Sequence, residues 1–273
     1  MDRSNTYKSR KFKNLMKTNF IHKGDCIKVM QDKIANKSIH TVFADPPYNL
    51  SGKNLSNPKN TTGGAFYKVN EDWDSFKLSD YEKFTNSWIA ESSRVLKSNG
   101  SIFICASLHN LKTVLLGLEL NNLEVKNIII WQKANPMPNQ TRRLFTHSHE
   151  YIVWAVKGKG WVFNAEELKK INPDRQKDGS LKMMQDVWRF PVVQGPERLK
   201  NKEGRALHPT QKPEALVERA IVGTTKKGNL ILDPFMGSGT TAVVCKKLSR
   251  DYIGIEQDEK YLQAARKRVQ STN

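Results

Sequence analysis

Cysteine is scarce in this chain of 273 residues. The three cysteines, Cys26, Cys105 and Cys245, are widely spaced and odd in number, which disfavours both a disulfide framework and a zinc cluster. We expect them to be small packed side chains in a reducing, cytoplasmic environment. His147 and His149 alternate along the chain, but two histidines supply too few ligands for a metal ion, so we expect no metal site.

Long apolar runs are also absent. No stretch approaches the roughly 18 consecutive apolar residues that a membrane-spanning helix needs, which excludes an integral membrane protein. The N-terminal segment lacks the apolar core of a secretory signal, so we expect none. With 38% hydrophobic and 26% charged residues, the chain has the composition of a globular protein with one large domain or two small ones.

Acidic residues are outnumbered by basic ones, 27 against 45, and the formal net charge is +18. The excess is uneven. Residues 1–23 hold seven basic residues and one acidic residue, residues 24–125 hold 11 of each, and residues 126–212 hold 17 basic and 8 acidic residues. A basic excess confined to an arm and a central segment indicates a polyanion such as nucleic acid, although a solvated basic surface explains the charge equally well.

Strand and helix patterns alternate along the chain. Apolar, β-branched runs predict strands at 39–44, 101–106, 127–132, 151–156, 229–232 and 252–256. Helical periodicity predicts helices from the capping-box spacing at Ser79–Glu82 to Asn99-Gly100, and at about 111–120, 213–222, 240–248 and 258–269. This order indicates an α/β fold with a mostly parallel central sheet and helices on both faces. Residues 51–70 and 133–207 lack the regularity, and we interpret both as functional loops.

A glycine-rich turn follows the predicted strand at 229–232. The sequence LDPFMGSGTT (residues 232–241) passes from that strand through Asp233 to a helix N-terminus, where exposed backbone N–H groups favour a ligand. Glu256 ends the next strand, where an acid can bind ribose hydroxyls. A glycine pair alone is a weak signal, but the two acids favour an adenosine-containing cofactor. A phosphate-binding nucleotide loop is disfavoured because no Gly-Lys-Ser/Thr follows.

A second chemical motif, Asp45-Pro46-Pro47-Tyr48, follows the strand predicted at 39–44. Ligands of open α/β sheets bind at the carboxyl ends of strands. The Asp45 carboxylate and the Pro46 carbonyl are two acceptors that suit an exocyclic amine on a planar base, and Tyr48 can stack on that base. Accepting both amino hydrogens would direct the nitrogen lone pair toward an electrophile. A rigid turn that merely ends a strand is the simpler alternative, and Tyr48 with the second proline favours function.

Together these motifs resemble those of the DNA amino-methyltransferases that use S-adenosylmethionine. The order, with DPPY at 45–48 before DPFMGSGTT at 233–241, resembles their circularly permuted β group. HPTQKP at 208–213 and Gly24-Asp25-Cys26 match further segments of that group, and the resemblance covers residues 20–269. Within the group, the chain is most similar to DpnA-type adenine methylases of GATC-recognising systems. The resemblance implies a Rossmann-like methyltransferase fold with permuted motif order and an inserted target-recognition segment.

The resemblance also implies roles for individual residues. The cofactor would be S-adenosylmethionine, with S-adenosylhomocysteine as product and no metal. The implied catalytic residues are Asp45, Pro46, Pro47 and Tyr48, which hold and stack the amine-bearing base once it is flipped out of the duplex. The implied cofactor-binding residues are Asp25 at the adenine amine, Glu256 at the ribose, His208, Thr210 and Lys212 on the methionine side, and Cys26, Asp45, Asp233, Phe235, Gly237, Ser238, Gly239 and Thr240.

We divide the chain into four parts, and the resemblance covers the last three but does not explain the first. Residues 1–19 form a basic arm, which either clamps DNA or is a disordered tail; residues 20–132 form the catalytic half, 133–207 the target-recognition region and 208–273 the cofactor-binding half. Arg142 and Arg143 are candidates for contact with guanine or phosphate. DNA is the expected partner, with a separately encoded restriction endonuclease as a further candidate, and the protein would be a monomer or homodimer.

Three alternatives stay open at this point. A cytosine-N4 methyltransferase would use the same amine geometry, although the family's cytosine members more often carry Ser where Asp45 stands. A nucleic-acid-binding protein without catalysis would have no need of Asp45 to Tyr48 or of the Glu256 strand. A dinucleotide oxidoreductase would use a glycine loop and an acid but would not need the basic central segment.

Overall fold

The computed structural model describes residues 16–49, 74, 76–136 and 143–272. Within them it contains eight strands: β1 Phe20–Lys23, β2 Ile39–Ala44, β3 Leu96–Ala106, β4 Glu124–Lys133, β5 His149–Val156, β6 Val187–Phe190, β7 Leu230–Asp233 and β8 Asp251–Glu256. The helices of the same residues are α1 Cys26–Lys33, α2 Leu78–Val95, α3 Leu111–Leu120, α4 Ala165–Ile171, α5 Glu214–Thr224, α6 Thr240–Lys247 and α7 Glu259–Gln270. None of these helices combines the length and apolarity that a membrane span requires.

The strands form one sheet in the order β1-β8-β7-β2-β3-β5-β4-β6. Neighbouring strands are parallel except that β5 runs antiparallel to both β3 and β4. The predicted mostly parallel sheet is therefore confirmed. One consequence of the antiparallel strand is that β4 ends, and β5 begins, at the edge where the parallel strands have their carboxyl ends.

Two apolar layers pack on opposite faces of the sheet. Alternation along β3 shows the division, because Phe103 and Cys105 pack toward α5, α6 and α7, whereas Ile102 and Ile104 pack toward α1, α2 and α3. The prediction of helices on both faces is confirmed. The three cysteines are buried and unpaired, as expected from their spacing.

Helix α2 differs from its prediction at both ends. It begins at Leu78 after Lys77, which makes no side-chain cap, so the capping box predicted at Ser79–Glu82 is wrong and those residues lie inside the helix. It ends at Val95, not at Asn99-Gly100, because buried Leu96 already pairs with Ile39 in β2. The register shifts before Ser101, and Gly100 fits there because a Cβ would lie 2.8 Å from Leu96 Cδ2.

The irregularity predicted for residues 133–207 is only partly correct. Helix α4 buries Leu168 beside Gly223 of α5, and β6 extends the sheet by pairing in parallel with β4. Both elements are short and bury few side chains, which leaves little periodic signal in the sequence. The same reason applies to β1 and α1, which the sequence patterns do not predict. Residues 51–70 lie outside the described residues.

Candidate active site

Four neighbouring parallel strands each place an acidic side chain at the same edge of the sheet. Asp25 follows β1, Glu256 ends β8, Asp233 ends β7 and Asp45 follows β2. All four line one cavity of about 330 Å³, a volume within the usual range for small-molecule sites. The fold therefore brings the two chemical motifs together although some 190 residues separate them in sequence.

Most residues predicted for the site line this cavity. They are Asp25, Cys26, Asp45, Pro46, Pro47, Tyr48, His208, Thr210, Lys212, Asp233, Phe235, Gly237, Ser238, Thr240 and Glu256. Gly239 does not line the cavity and is instead the residue that precedes α6. Arg143 is exposed outside it, and Arg142 lies outside the described residues.

Asp233 organises the turn between β7 and α6. Its Oδ1 accepts a hydrogen bond of 2.9 Å from the Phe235 N–H, and its Oδ2 accepts one of 2.6 Å from the Thr241 hydroxyl. Burial raises the pKa of Asp233 to about 7, and these hydrogen bonds oppose the rise only in part. The carboxylate thus fixes the glycine turn in the shape that faces the cavity.

Glu256 and two glycines complete the turn. One Glu256 oxygen accepts from the Gly237 N–H at 2.7 Å, and the other accepts from the Asp258 N–H at 2.8 Å. Gly237 and Gly239 have φ angles of 49° and 80°, in the left-handed region that favours glycine. A Cβ at Gly237 would lie 2.8 Å from His208 Nε2, so a side chain there would also clash. Each Glu256 oxygen keeps a lone pair for a ligand hydroxyl.

Arg268 supports the same turn from α7, and the sequence motifs do not indicate it. Its guanidinium donates to the Ser238 carbonyl at 3.2 Å, to the Thr240 hydroxyl at 3.0 Å and to Glu214 at 2.8 Å. The Thr240 hydroxyl in turn donates to the Lys212 carbonyl at 3.3 Å. These bonds connect the cofactor turn to the HPTQKP segment.

One part of the cavity has an aromatic wall. The Phe235 ring meets Trp88 edge-on at 5.2 Å, and Phe84 lies 6.1 Å away. At the adjacent wall, the His208 ring lies 4.5 Å from Tyr261, and burial followed by the charge of Lys212 lowers the His208 pKa to about 4. A neutral imidazole does not repel a cationic ligand.

The residues present fit S-adenosylmethionine. A nucleoside needs an apolar wall for its base and oxygen acceptors for its hydroxyls and amine, and the cavity offers Phe235, Glu256 and Asp25 for these purposes. Asp25 also caps α1, since its Oδ1 accepts from the Lys28 N–H at 3.0 Å. Cys26 beside it has a pKa raised to about 12 by burial and then by Asp25, so its thiol stays protonated and unreactive.

The Asp45 turn, residues 45–48, is held by Tyr81 of α2 and by Asn49, which follows the turn. Tyr81 donates its hydroxyl hydrogen to the Pro47 carbonyl at 2.8 Å. Asn49 has a φ of 56°, its N–H donates to Asp74 at 2.6 Å, and its side-chain oxygen accepts from the Phe76 N–H at 2.9 Å. Among the described residues no donor bonds to the Pro46 carbonyl, which leaves that oxygen available for an incoming amine.

Asp45 belongs to a partly buried ionic network, in which Lys212 is the most buried member. The Lys212 ammonium lies 2.7 and 2.8 Å from the two Asp45 oxygens and 3.8 Å from Glu150 Oε2. Lys133 pairs with the other Glu150 oxygen at 2.6 Å. The Tyr48 hydroxyl lies between the two acids, 3.1 Å from Asp45 and 3.2 Å from Glu150. The Lys212 ammonium, assigned by resemblance to the methionine side, thus contacts the Asp45 carboxylate.

The motifs do not assign Glu150 and Lys133 a chemical role. The available signal is one acidic residue in the otherwise apolar strand EYIVWAV, since a lone charge in a buried strand requires a partner. Burial alone would raise the pKa of Glu150, but Lys212 and Lys133 outweigh it and hold that pKa below its usual value. Burial raises the Asp45 pKa, and Lys212 opposes that rise.

The two alternating histidines lie at and just before the start of β5. His149 Nε2 lies 3.2 Å from the Tyr151 hydroxyl, and His147 is exposed. In the part of the chain that the structure describes, no group of three His, Cys, Asp or Glu side chains is arranged to hold a metal ion.

Sequence relatives share most of the chain. The profile of the N6/N4 methylase family, described as DNA methylase, matches residues 39–267. Type II methyltransferase M.HinfI of Haemophilus influenzae is 39% identical over 258 residues, which cover 92% of this chain and 68% of the relative. Type II methyltransferase M2.DpnII of Streptococcus pneumoniae is 42% identical over 248 residues, which cover 88% of this chain and 86% of the relative.

Solved structures show the same architecture. The complex of M1.HpyAVI with SAM is 30% identical, with a TM-score of 0.64 over 91% of this chain and 98% of that one. The cytosine-N4-specific PvuII DNA methyltransferase reaches a TM-score of 0.69 over 92% of this chain and 86% of that one, at 16% identity. At that identity the second likeness concerns the fold alone.

Proposed function

The chain belongs to the N6/N4 DNA methylase family, and from that premise we propose that it methylates the N6 amine of adenine in DNA. As a member of the family it is a DNA methyltransferase that uses S-adenosylmethionine. The choice of adenine, the roles of individual residues and the recognised site belong to the proposal.

One observation supports the proposal above the others. The Asp45 turn and the glycine turn of residues 233–241 end neighbouring parallel strands and line a single cavity. An amine held at Asp45 would therefore lie beside a cofactor held at Glu256 and Phe235. Holding two reactants in one cavity converts their encounter into an effectively unimolecular step.

The Asp45 turn would orient the target amine. The Asp45 carboxylate and the Pro46 carbonyl would accept its two hydrogens, and the Tyr48 ring would stack on the base. S-adenosylmethionine, when bound, supplies an electrophilic methyl group. Methyl transfer would form a nitrogen–carbon bond and break the carbon–sulfur bond, whose electron pair would go to sulfur. The nitrogen would then give up one proton, which the Asp45 carboxylate would accept.

Asp45 also supports adenine over cytosine, because cytosine-N4 members of the family more often carry Ser at that position. The fold does not distinguish the two, since the cytosine-N4-specific PvuII DNA methyltransferase shares it. Cytosine-N4 methylation is therefore the second candidate function, and it predicts a different product from the same geometry.

Recognition of DNA would lie in residues 133–207. The basic excess of that region would contact phosphates, with Arg143 exposed near the start of β5. Strand β5 lies inside these bounds and carries Glu150 into the catalytic network, so the recognition segments proper would be those outside the sheet. The type II relatives support a restriction–modification setting with a separately encoded endonuclease.

Nucleoside analysis tests the proposal directly. Unmethylated genomic DNA is incubated with the protein and S-adenosylmethionine labelled in its methyl group, digested to nucleosides and analysed by mass spectrometry. We expect the label in N6-methyladenine. Label in N4-methylcytosine would transfer the assignment to the second candidate, and label in neither base would contradict both.

A further inference from the structure

The Asp45 carboxylate is bonded to a lysine in the structure, although its proposed partner is the target amine. Both Asp45 oxygens lie within hydrogen-bond distance of the Lys212 ammonium, at 2.7 and 2.8 Å, and Oδ1 also accepts from the Tyr48 hydroxyl. A carboxylate neutralised by a buried cation is a weaker acceptor for an amine. An amine placed at Asp45 therefore meets a carboxylate whose charge Lys212 already neutralises, although Oδ2 keeps a lone pair for it.

Lys212 cannot simply leave for solvent. Its side chain is only 7% exposed, and an unpaired buried cation is strongly unfavourable. The nearest other carboxylate oxygen is Glu150 Oε2, at 3.8 Å. A movement of about 1 Å would bring this pair to full hydrogen-bond distance.

We propose that Glu150 is a positioning residue which receives Lys212 when the target amine takes its place at Asp45. The inference rests on the proposed function, because it requires an amine at Asp45. Glu150 would act through Lys212 and need not touch the substrate. Lys133 would then hold Glu150 Oε1 at 2.6 Å, so that Oε2 stays directed toward Lys212.

The surroundings keep both partners charged. Burial alone would lower the Lys212 pKa, but Asp45 and Glu150 outweigh it and raise that pKa. Glu150 stays ionised because Lys212 and Lys133 lower its pKa despite burial. The remaining titratable groups that influence the pair are neutral around pH 7: the Tyr48 hydroxyl, the Cys105 thiol and the His208 ring.

The test measures single-turnover methyl transfer to unmethylated genomic DNA between pH 7 and 9. Glu150→Gln removes the charge that would receive Lys212 and keeps nearly the same shape. We expect a transfer rate at least tenfold lower at pH 7, with the KM for DNA and the Kd for S-adenosylmethionine within threefold of wild type. The rate of this variant should rise with pH, because loss of the Lys212 proton becomes the remaining way to free Asp45, whereas the wild-type rate should stay flat.

Two further variants separate charge from structure. Glu150→Asp keeps the carboxylate one methylene further away, so it should recover part of the rate and show a weaker rise with pH. Glu124→Gln makes the same amide change at the start of β4, where the side chain is 65% exposed, and should match wild type. A thermal melt shows whether Glu150→Gln folds. If it does not fold, the pH dependence of the transfer rate of Glu150→Asp tests the inference instead.

The outcomes separate this inference from the proposed function. Two outcomes would overturn the inference alone, provided that the wild-type protein transfers methyl groups. In the first, the transfer rate of Glu150→Gln is within twofold of the wild-type rate. In the second, both Glu150 variants lose the same fraction of the rate and neither rate rises with pH. Absence of any methylated base with the wild-type protein would overturn the proposed function and this inference with it.

Discussion

Asp45 and Asp233 stand at the carboxyl ends of neighbouring strands, β2 and β7, and are held in opposite ways. Asp45 is bonded to Lys212, which lies 167 residues away in sequence. Asp233 is bonded to a backbone N–H two residues away and to a hydroxyl eight residues away. One acid is thus part of a long-range ionic network, whereas the other is satisfied by neutral groups of its own turn.

The contrast shows how the two halves of the site divide their work. A carboxylate bonded only to neutral donors fixes the shape of a turn, and its pKa rises because no cation offsets its burial. A carboxylate bonded to a cation that can change partners, as we propose for Lys212, remains available for a substrate. The catalytic half should therefore respond to changes of charge, and the cofactor half to changes of shape.

The largest expected effect comes from removing Asp45, the acid that we propose to be catalytic. Asp45→Ala should lower single-turnover methyl transfer by about 10²–10³-fold, because the amine loses the acceptor that orients its lone pair. Affinity for S-adenosylmethionine, measured by calorimetry, should change far less, since the cofactor turn keeps its own hydrogen bonds. Near wild-type transfer in this variant would contradict the assignment of Asp45.

Glu256→Ala should have the complementary effect. Loss of the ribose acceptors should weaken S-adenosylmethionine binding by about 1.5–3 kcal/mol, the value of hydrogen bonds to a charged group. DNA binding without cofactor, followed by fluorescence anisotropy, serves as the control and should stay near wild type. Unchanged cofactor affinity would show that another residue binds the ribose.

Two variants of Tyr48 separate the contribution of its ring from that of its hydroxyl. Tyr48→Ala should lose the stacking on the flipped base, worth about 1–3 kcal/mol, and should slow methyl transfer accordingly. Tyr48→Phe keeps the ring and removes only the hydrogen bonds to Asp45 and Glu150, so most of the rate should remain. Equal losses in the two variants, measured at saturating cofactor, would assign the role to the hydroxyl.

The last prediction concerns stability and its dependence on pH, not methyl transfer. The folded pKa of Asp233, about 7, lies above its unfolded value of about 3.9. Its contribution to stability is therefore fully present below about pH 4 and is lost as pH rises through 7, with a slope of up to about 1.4 kcal/mol per pH unit. The Asn side chain of Asp233→Asn stays neutral, so the free energy of unfolding of this variant should lack the contribution. Urea unfolding of both proteins at pH 5 and pH 7 measures the difference. If the free energy of unfolding changes equally between pH 5 and pH 7 in the two proteins, the Asp233 pKa lies near its usual value.

The same contrast explains what the sequence predicts and what it does not. The glycine turn, Glu256 and the Asp45 turn are short motifs at strand ends, and parallel topology brings strand ends together, so their meeting in one cavity follows from the pattern. Glu150 accepts a hydrogen bond from Tyr48, 102 residues away, and Arg268 donates one to Glu214, 54 residues away. No local sequence pattern indicates such long-range pairs.

Fold prediction divides in a similar way. The periodic pattern predicts β2 and α3 at their observed bounds, because each presents a continuous apolar run or face to the core. Elements such as β6, with four residues, are specified by the edge of an existing sheet and not by their own sequence. The early end of α2 has the same origin, since pairing of Leu96 with Ile39 outweighs the local helical tendency.

The antiparallel direction of β5 has a consequence for how this protein can diversify. The chain leaves the sheet at Lys133 and re-enters it at His149, and both points lie at the sheet edge that also carries the Asp45 turn. Insertions or deletions between them would alter this edge of the sheet and leave the strand order intact. Evolution can therefore vary this connection without redesigning the scaffold, provided that Lys133 and Glu150 remain at its two ends.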